Sequence, residues 1–275
     1  MKAVASVDLA ALVAGASLVA CSSRLQEPTV DMSAVQADLK TVAGARILFA
    51  HQSVGRNILE GVQALSEQAD VPIRIEETTG KAPSPGPGLF HLFVGVNGDP
   101  SGKIVAFQRV LEDPQQPSYD IAVLKFCYED LAHDARDRDR TLERYAAAVT
   151  KLRSVRPDVR LVHVTAPLRS DPPGWKTAVK RVLGRDTEED ADNVLRNAYN
   201  AELRSRFAAE PVFDLATLES TRVDGTRSSF SGSGATVFSM VPEYTIDGGH
   251  LSEPARRLTA AEFLHTLAQA LKRRP

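Results

Sequence analysis

From residue 45 onward the chain alternates short apolar runs with stretches whose apolar residues recur every three or four positions. Ala45-Arg46-Ile47-Leu48-Phe49-Ala50 reads as a strand, after which Ile58, Leu59, Val62 and Leu65 share one helical face. Residues 71–75 predict a second strand. Residues 119–126 are almost continuously apolar, the pattern of a strand covered on both sides. Leu142, Tyr145, Val149 and Leu152 mark the next amphipathic helix, and residues 159–164 a strand that stops at Ala166-Pro167. A helix over 192–207 and a short strand over 211–215 follow. The last helix starts near Pro254 and buries Leu258, Phe263, Leu264, Leu267 and Leu271. Such alternation predicts an α/β domain of three layers, α/β/α, around a central parallel sheet of about five strands. Residues 80–102, rich in Gly and Pro, and residues 222–244, rich in Ser, Gly and Thr, read as long loops of the kind that serve a site. No repeat or linker interrupts residues 45–272, so they predict one domain.

With 43% hydrophobic and 25% charged residues the chain has material for a core and is not of disordered composition. Thirty-three Lys and Arg against 35 Asp and Glu leave a net charge of −2, which argues against a nucleic-acid partner. No uninterrupted apolar run reaches the ~18–20 residues of a spanning helix, which excludes a multi-span membrane protein. Residues 1–21 read as an export signal: Lys2, then an apolar segment from Leu9 to Ala20 of signal-peptide length. Its end, Leu18-Val19-Ala20-Cys21, resembles the bacterial lipobox, whose cysteine becomes the lipidated N-terminus; Asp8 is its one departure. On that reading residues 22–44 are a tether and lead-in, and Cys127 is the one remaining thiol. Ser22 and Ser23 carry no acidic retention signal, so a lipid-anchored place in the cell envelope, at the outer membrane, is the expectation. The bland alternative is the frayed first helix of a cytosolic protein.

Ligands of parallel α/β sheets bind at the carboxyl ends of the strands. The turn after the first strand, His51-Gln52-Ser53-Val54-Gly55, places a serine where a helix begins and its free N–H groups can face an oxyanion. By itself such a serine is more often a helix N-cap. Near the other end, Asp247-Gly248-Gly249-His250 lets a carboxylate fold back on the imidazole Nδ1–H and leaves Nε2 to take a proton from a serine. An isolated DxxH also occurs in many surface loops.

Together, a serine after the first strand and DxxHL before the last helix resemble the first and last blocks of the SGNH/GDSL hydrolase superfamily, over roughly residues 45–272. Residues 119–130 (YDIAVLKFCYED) resemble its third block, a strand ending in a Gly-x-Asn-Asp turn. Asp192-Asn193, Arg196-Asn197 and Tyr199-Asn200 resemble the helix that follows its fourth strand. The resemblance implies a flavodoxin-like sheet and acyl transfer to water, with Ser53 as nucleophile, His250 as base then acid, and Asp247 as its orienter. It implies no cofactor or metal, and a small-molecule or glycan ester as substrate. The departures are His-Gln-Ser for Gly-Asp-Ser, Cys127 for a glycine, and Glu129 where the family has its oxyanion asparagine. A carboxylate repels an oxyanion, and one lost donor costs ~3–4 kcal/mol of transition-state stabilisation. Asn97 from the long loop, or the N–H groups of Ser53 and Gly80, are the candidate replacements.

Three rivals remain. His51-x-Ser53-x-Gly55 also resembles a nucleophile elbow, but only one strand precedes it. A catalytically impaired scaffold that binds an envelope glycan or protein fits Glu129. A transport solute-binding lipoprotein needs two lobes that the chain lacks. Of the other reactive side chains, His51 either lines the site or packs under the turn, and His163 reads as a hydrogen-bonded core residue. His91 and His133 lack partners at metal-ligand spacing. Cys127 reads as buried and apolar, Trp175 as a packed aromatic, and residues 133–140 as a solvated helix entry.

Overall fold

The computed structural model describes residues 29–79, 83–132, 134–171, 188–232 and 234–273. The proposed signal with Cys21, and also Gly80, His133 and Trp175, lie outside them. Six strands, β1 (Arg46–His51), β2 (Ile75–Glu77), β3 (Gly88–Phe93), β4 (Ile121–Leu124), β5 (Arg160–Val164) and β6 (Val212–Phe213), form one sheet in the order β2-β3-β1-β4-β5-β6. Every neighbouring pair is parallel. The chain fills the β3 side of β1 first and then crosses to β4, so the topological switch lies at β1.

Alternate residues of β1 enter opposite cores. Ile47 and Phe49 pack with Val54, Ile58, Val62, Phe263 and Leu267, all fully buried, from α2 (Ser53–Ala69) and the last helix, Glu253–Lys272. Leu48 and Ala50 pack on the other face with Phe90, Ile104, Phe107, Leu142, Tyr145 and Val149. At ~1.5–3 kcal/mol for each large apolar side chain removed from water, these two cores are the main source of stability. α1 (Met32–Val42) completes the first face against the last helix. The second face carries α3 (Pro100–Glu112), α4 (Ala135–Val155) and α5 (Glu188–Arg206). A short α6 (Leu215–Ser220) follows β6, and an antiparallel hairpin of β7 (Ser229–Gly232) and β8 (Ala235–Phe238) packs on α5. The last helix, Glu253–Lys272, is α7.

The α/β/α layering is as the periodicity predicts, with one strand more. The expected irregular segment 80–102 contains β3, which is the neighbour of β1, and the start of α3. Its glycines and prolines mask five consecutive buried positions from Gly88 to Leu92. The second strand pairs at Ile75–Glu77 rather than over 71–75; Val71 and Ile73 are buried without joining the sheet. Residues 222–244 likewise hold the hairpin. The stretch read as lead-in ends in α1, N-capped by Asp31 and held by the buried Val35, Leu39 and Val42.

Candidate active site

Aspartates cap α1, α3, α4 and α6, but Gln52, the N-cap of α2, offers its helix no side-chain acceptor. The first N–H groups of a helix lack internal partners, and those of Ser53 and Val54 donate to no described residue. Ser53 sits there half-buried at the carboxyl end of β1. Gln52 is occupied elsewhere: its carbonyl accepts from Gly55 N at 2.9 Å and Arg56 N at 3.3 Å. Its Nε2 donates to the carbonyls of Val94 at 2.7 Å and Gly95 at 3.0 Å, just after β3.

His51 packs beneath this turn. A carbonyl only accepts, so the 2.7 Å contact of His51 Nδ1 with Gln52 O fixes the proton on Nδ1. Nε2 then accepts from His91 Nδ1 at 3.1 Å. Burial, reinforced by His91, Lys125 and Arg56 and opposed by the Gln52 bond, lowers the His51 pKa to about 3, so the ring is neutral. Gly55 is required by this packing, because a Cβ there would lie 2.4 Å from both Cβ and Cγ of His51.

Asp247 and His250 meet within one turn. His250 Nδ1 lies 2.6 Å from Asp247 Oδ2, while Asp247 Oδ1 accepts the N–H groups of Gly249 at 3.0 Å and His250 at 2.8 Å. Partial burial raises the Asp247 carboxyl, but these N–H donors and the imidazole outweigh it and bring the pKa down to about 2. Asp247 is therefore an anion that orients the ring, and Nε2 bonds to no described residue. Both glycines are dictated by space: Gly248 has φ +93°, and a Cβ on Gly249 would come 2.8 Å from the Tyr128 ring. The loop is also tied to the segment after β5, through Ser170 N to Gly248 O at 2.9 Å.

That segment is held by α5 in a regular way. Asn193, Asn197 and Asn200 each bond both the N–H and the C=O of one residue, Arg169, Phe238 and Ala166 respectively. Arg196 Nε reaches Tyr128 O at 3.0 Å, so one helix fixes the loops after β4 and β5. Their role as clamps was not contained in the sequence pattern, because their partners are remote in the chain.

Asn57, one helical turn after Ser53, accepts the buried N–H of Leu251 at 3.1 Å, directly after His250. The serine-bearing turn and the histidine-bearing loop are thereby latched together. Ser53 Oγ itself forms no hydrogen bond with His250 or any other described residue. Glu129 is exposed in the short 3-10 turn Tyr128–Leu131, between the buried Tyr128 and Asp130. Asn97 is exposed on the loop after β3. Cys127 is buried, as are Lys125 and Glu219; burial pushes the Lys125 ammonium down and the Glu219 carboxyl up. His163 is a core residue bonded to Tyr145 and Glu210, both at 2.9 Å. A cavity of about 510 Å³ lies at the amino ends of β4 and β5, opposite Ser53, lined by Asp120, Arg153, Arg160 and Glu210.

No protein-family profile and no curated protein sequence matches the chain. Among solved structures it is similar to a candidate acylhydrolase from Bacteroides fragilis NCTC 9343, at 14% identity and TM-score 0.49, covering 90% of each chain. It is also similar to a candidate platelet activating factor protein from Streptococcus pneumonia, at 14% identity and TM-score 0.48 over 87% of this chain and 92% of that one. A third is the periplasmic domain of a lipopolysaccharide acetyltransferase from Salmonella ser. Paratyphi A, at 11% identity and TM-score 0.46, over 87% and 90%.

Proposed function

We propose that the protein is a serine acyl hydrolase acting on an ester, with Ser53, His250 and Asp247 as its catalytic residues. The observation that supports this reading is the bond between Asn57, one helical turn after Ser53, and the N–H of Leu251, the residue after the Asp247-oriented His250. His250 Nε2 takes the Ser53 Oγ proton as Oγ attacks the acyl carbon, and the resulting oxyanion is held by main-chain N–H of Ser53 and a further donor. The imidazolium returns that proton to the leaving alcohol oxygen, giving an acyl-serine. Water then attacks the acyl carbon while His250 takes its proton, and the carboxylic acid leaves as that proton passes to Oγ. Gly80 and Asn97 are the candidate further donors. We place the reaction at the bacterial envelope, on a small or glycan ester, with Cys21 as lipid anchor; residues 1–21 and their resemblance to a lipobox support that location.

Glu129 supports a second reading, a catalytically impaired protein that binds an envelope glycan or protein. An alkyl fluorophosphonate and p-nitrophenyl acetate separate the two. The native chain should label and turn over, and Ser53→Ala and His250→Ala should each abolish both. A folded native chain that does neither refutes the hydrolase reading.

A further inference from the structure

Lys103 and Asp130 form an ion pair whose side chains are both fully buried, with Nζ 2.6 Å from Oδ2 and 2.9 Å from Oδ1. A buried pair of this kind is a poor source of stability, since an apolar pair of the same shape does as well or better. Its position is more informative. The loop after β3 is tied at its start to Gln52, the residue before Ser53, through Val94 O and Gly95 O. It is tied further on to the turn after β4, where Gly98 N donates to Asp130 Oδ1 at 2.9 Å. β3 and β4 flank β1 on its two sides, so the loop crosses the carboxyl end of the strand that delivers Ser53. Asn97 stands on that crossing.

The third contact of Lys103 Nζ is Asn97 Oδ1, at 3.1 Å. An ammonium has three donors and no acceptor, so this contact fixes which end of the Asn97 amide faces the pair. The carbonyl is turned inward, and Nδ2, with two N–H donors, is turned away from it. Nδ2 meets no described residue, although the side chain that anchors it is wholly buried. Asp130 is itself held by Cys127 N at 2.6 Å, so the anchor is fixed to the strand end rather than to the loop alone.

We propose that the buried Lys103–Asp130 pair positions the Asn97 amide as the second oxyanion donor of the Ser53 site, doing from the β3 loop what Glu129 cannot do from the β4 turn. The proposal rests on the hydrolase reading. Ser53 N–H and Asn97 Nδ2 would then grip the oxyanion from either side, and Lys103 acts only through Asn97.

The test measures kcat and KM for p-nitrophenyl acetate, with fluorophosphonate labelling of Ser53 alongside. Asn97→Ala should lower kcat about 100-fold, the cost of one oxyanion donor, with KM within about threefold. Asn97→Asp separates the donor from a merely structural partner: it keeps an oxygen for Lys103 but has no N–H and adds a charge that repels an oxyanion, so it should lose at least as much as Asn97→Ala. Lys103→Gln with Asp130→Asn removes the charges together, leaving no unpaired ion, and should lower kcat about tenfold at unchanged KM. Adding Asn97→Ala to that pair should then cost about tenfold more and no further, bringing the total to the loss of Asn97→Ala alone, because a pair that acts only through Asn97 adds nothing once Asn97 is gone. Near-native kcat in Asn97→Ala, or in Asn97→Asp, overturns the proposal; both are exposed substitutions that do not depend on the buried pair for folding. An unlabelled, inactive native chain defeats the hydrolase reading and this proposal with it, whereas an active native chain with an indifferent Asn97 defeats the proposal alone.

Discussion

Gly55→Ala is the substitution whose sign is most informative. In an open helix, Gly→Ala stabilises by up to ~1 kcal/mol, because alanine gives up less backbone freedom. Here the new methyl would lie 2.4 Å from Cβ and Cγ and 2.6 Å from Nδ1 of His51, well inside van der Waals contact. The ring has little room to yield: it is fully buried, bonded at Nδ1 to Gln52 O and at Nε2 to His91, and packed 4.7 Å from the Phe49 ring by centroid. Overpacking a rigid site costs ~1–3 kcal/mol, and the lack of relief places this site at the upper end. The net expectation is a loss of about 2 kcal/mol, which for a chain of this size lowers Tm by about 4–8 °C. Guanidinium unfolding should show a lower midpoint at an unchanged m-value. Because the displaced turn also presents Ser53, labelling by the fluorophosphonate should slow. A variant as stable as the native chain, or more so, would refute the packing of His51 under the helix and with it the reason for the glycine.

Two further outcomes follow from the same contacts. Asn57→Ala strands the buried Leu251 N–H, which should cost ~1–3 kcal/mol in denaturant unfolding and slow Ser53 labelling; native-like labelling would show that the latch does not align the site. His51 has a folded pKa of about 3 against an ordinary 6.5, so its contribution is present above pH 6.5 and is lost as pH falls through that window. At ~1.4 kcal/mol per pH unit the loss is on the order of 5 kcal/mol by pH 3. His51→Gln should flatten the acid limb of the stability profile, and an unaltered slope would mean that the native ring takes up its proton.

Local signals determined a good part of this protein. Phe49, Ile58, Val62, Leu142, Tyr145, Val149, Phe263 and Leu267 are buried where a period of two or of three to four places them, because side-chain direction is set by the local backbone. The Asp247–His250 contact was legible for the same reason, since both partners lie within one turn. Asp99 followed by Pro100 is a helix-start signal that the surrounding Gly and Pro obscured, and with it went β3 and α3. Position in the sheet lay beyond local pattern altogether. That β3, not β2, adjoins β1 depends on a crossover and on pairing between Arg46 and Gly88. Asn57 with Leu251, His51 with His91, and Lys103 with Asp130 are likewise contacts between residues that only the folded chain brings together. Hydrophobic periodicity says which side of an element is covered. It does not say by what, so the sequence singled out Ser53, Asp247 and His250 as candidates while the tertiary structure alone decided which backbone and side-chain atoms hold them in place.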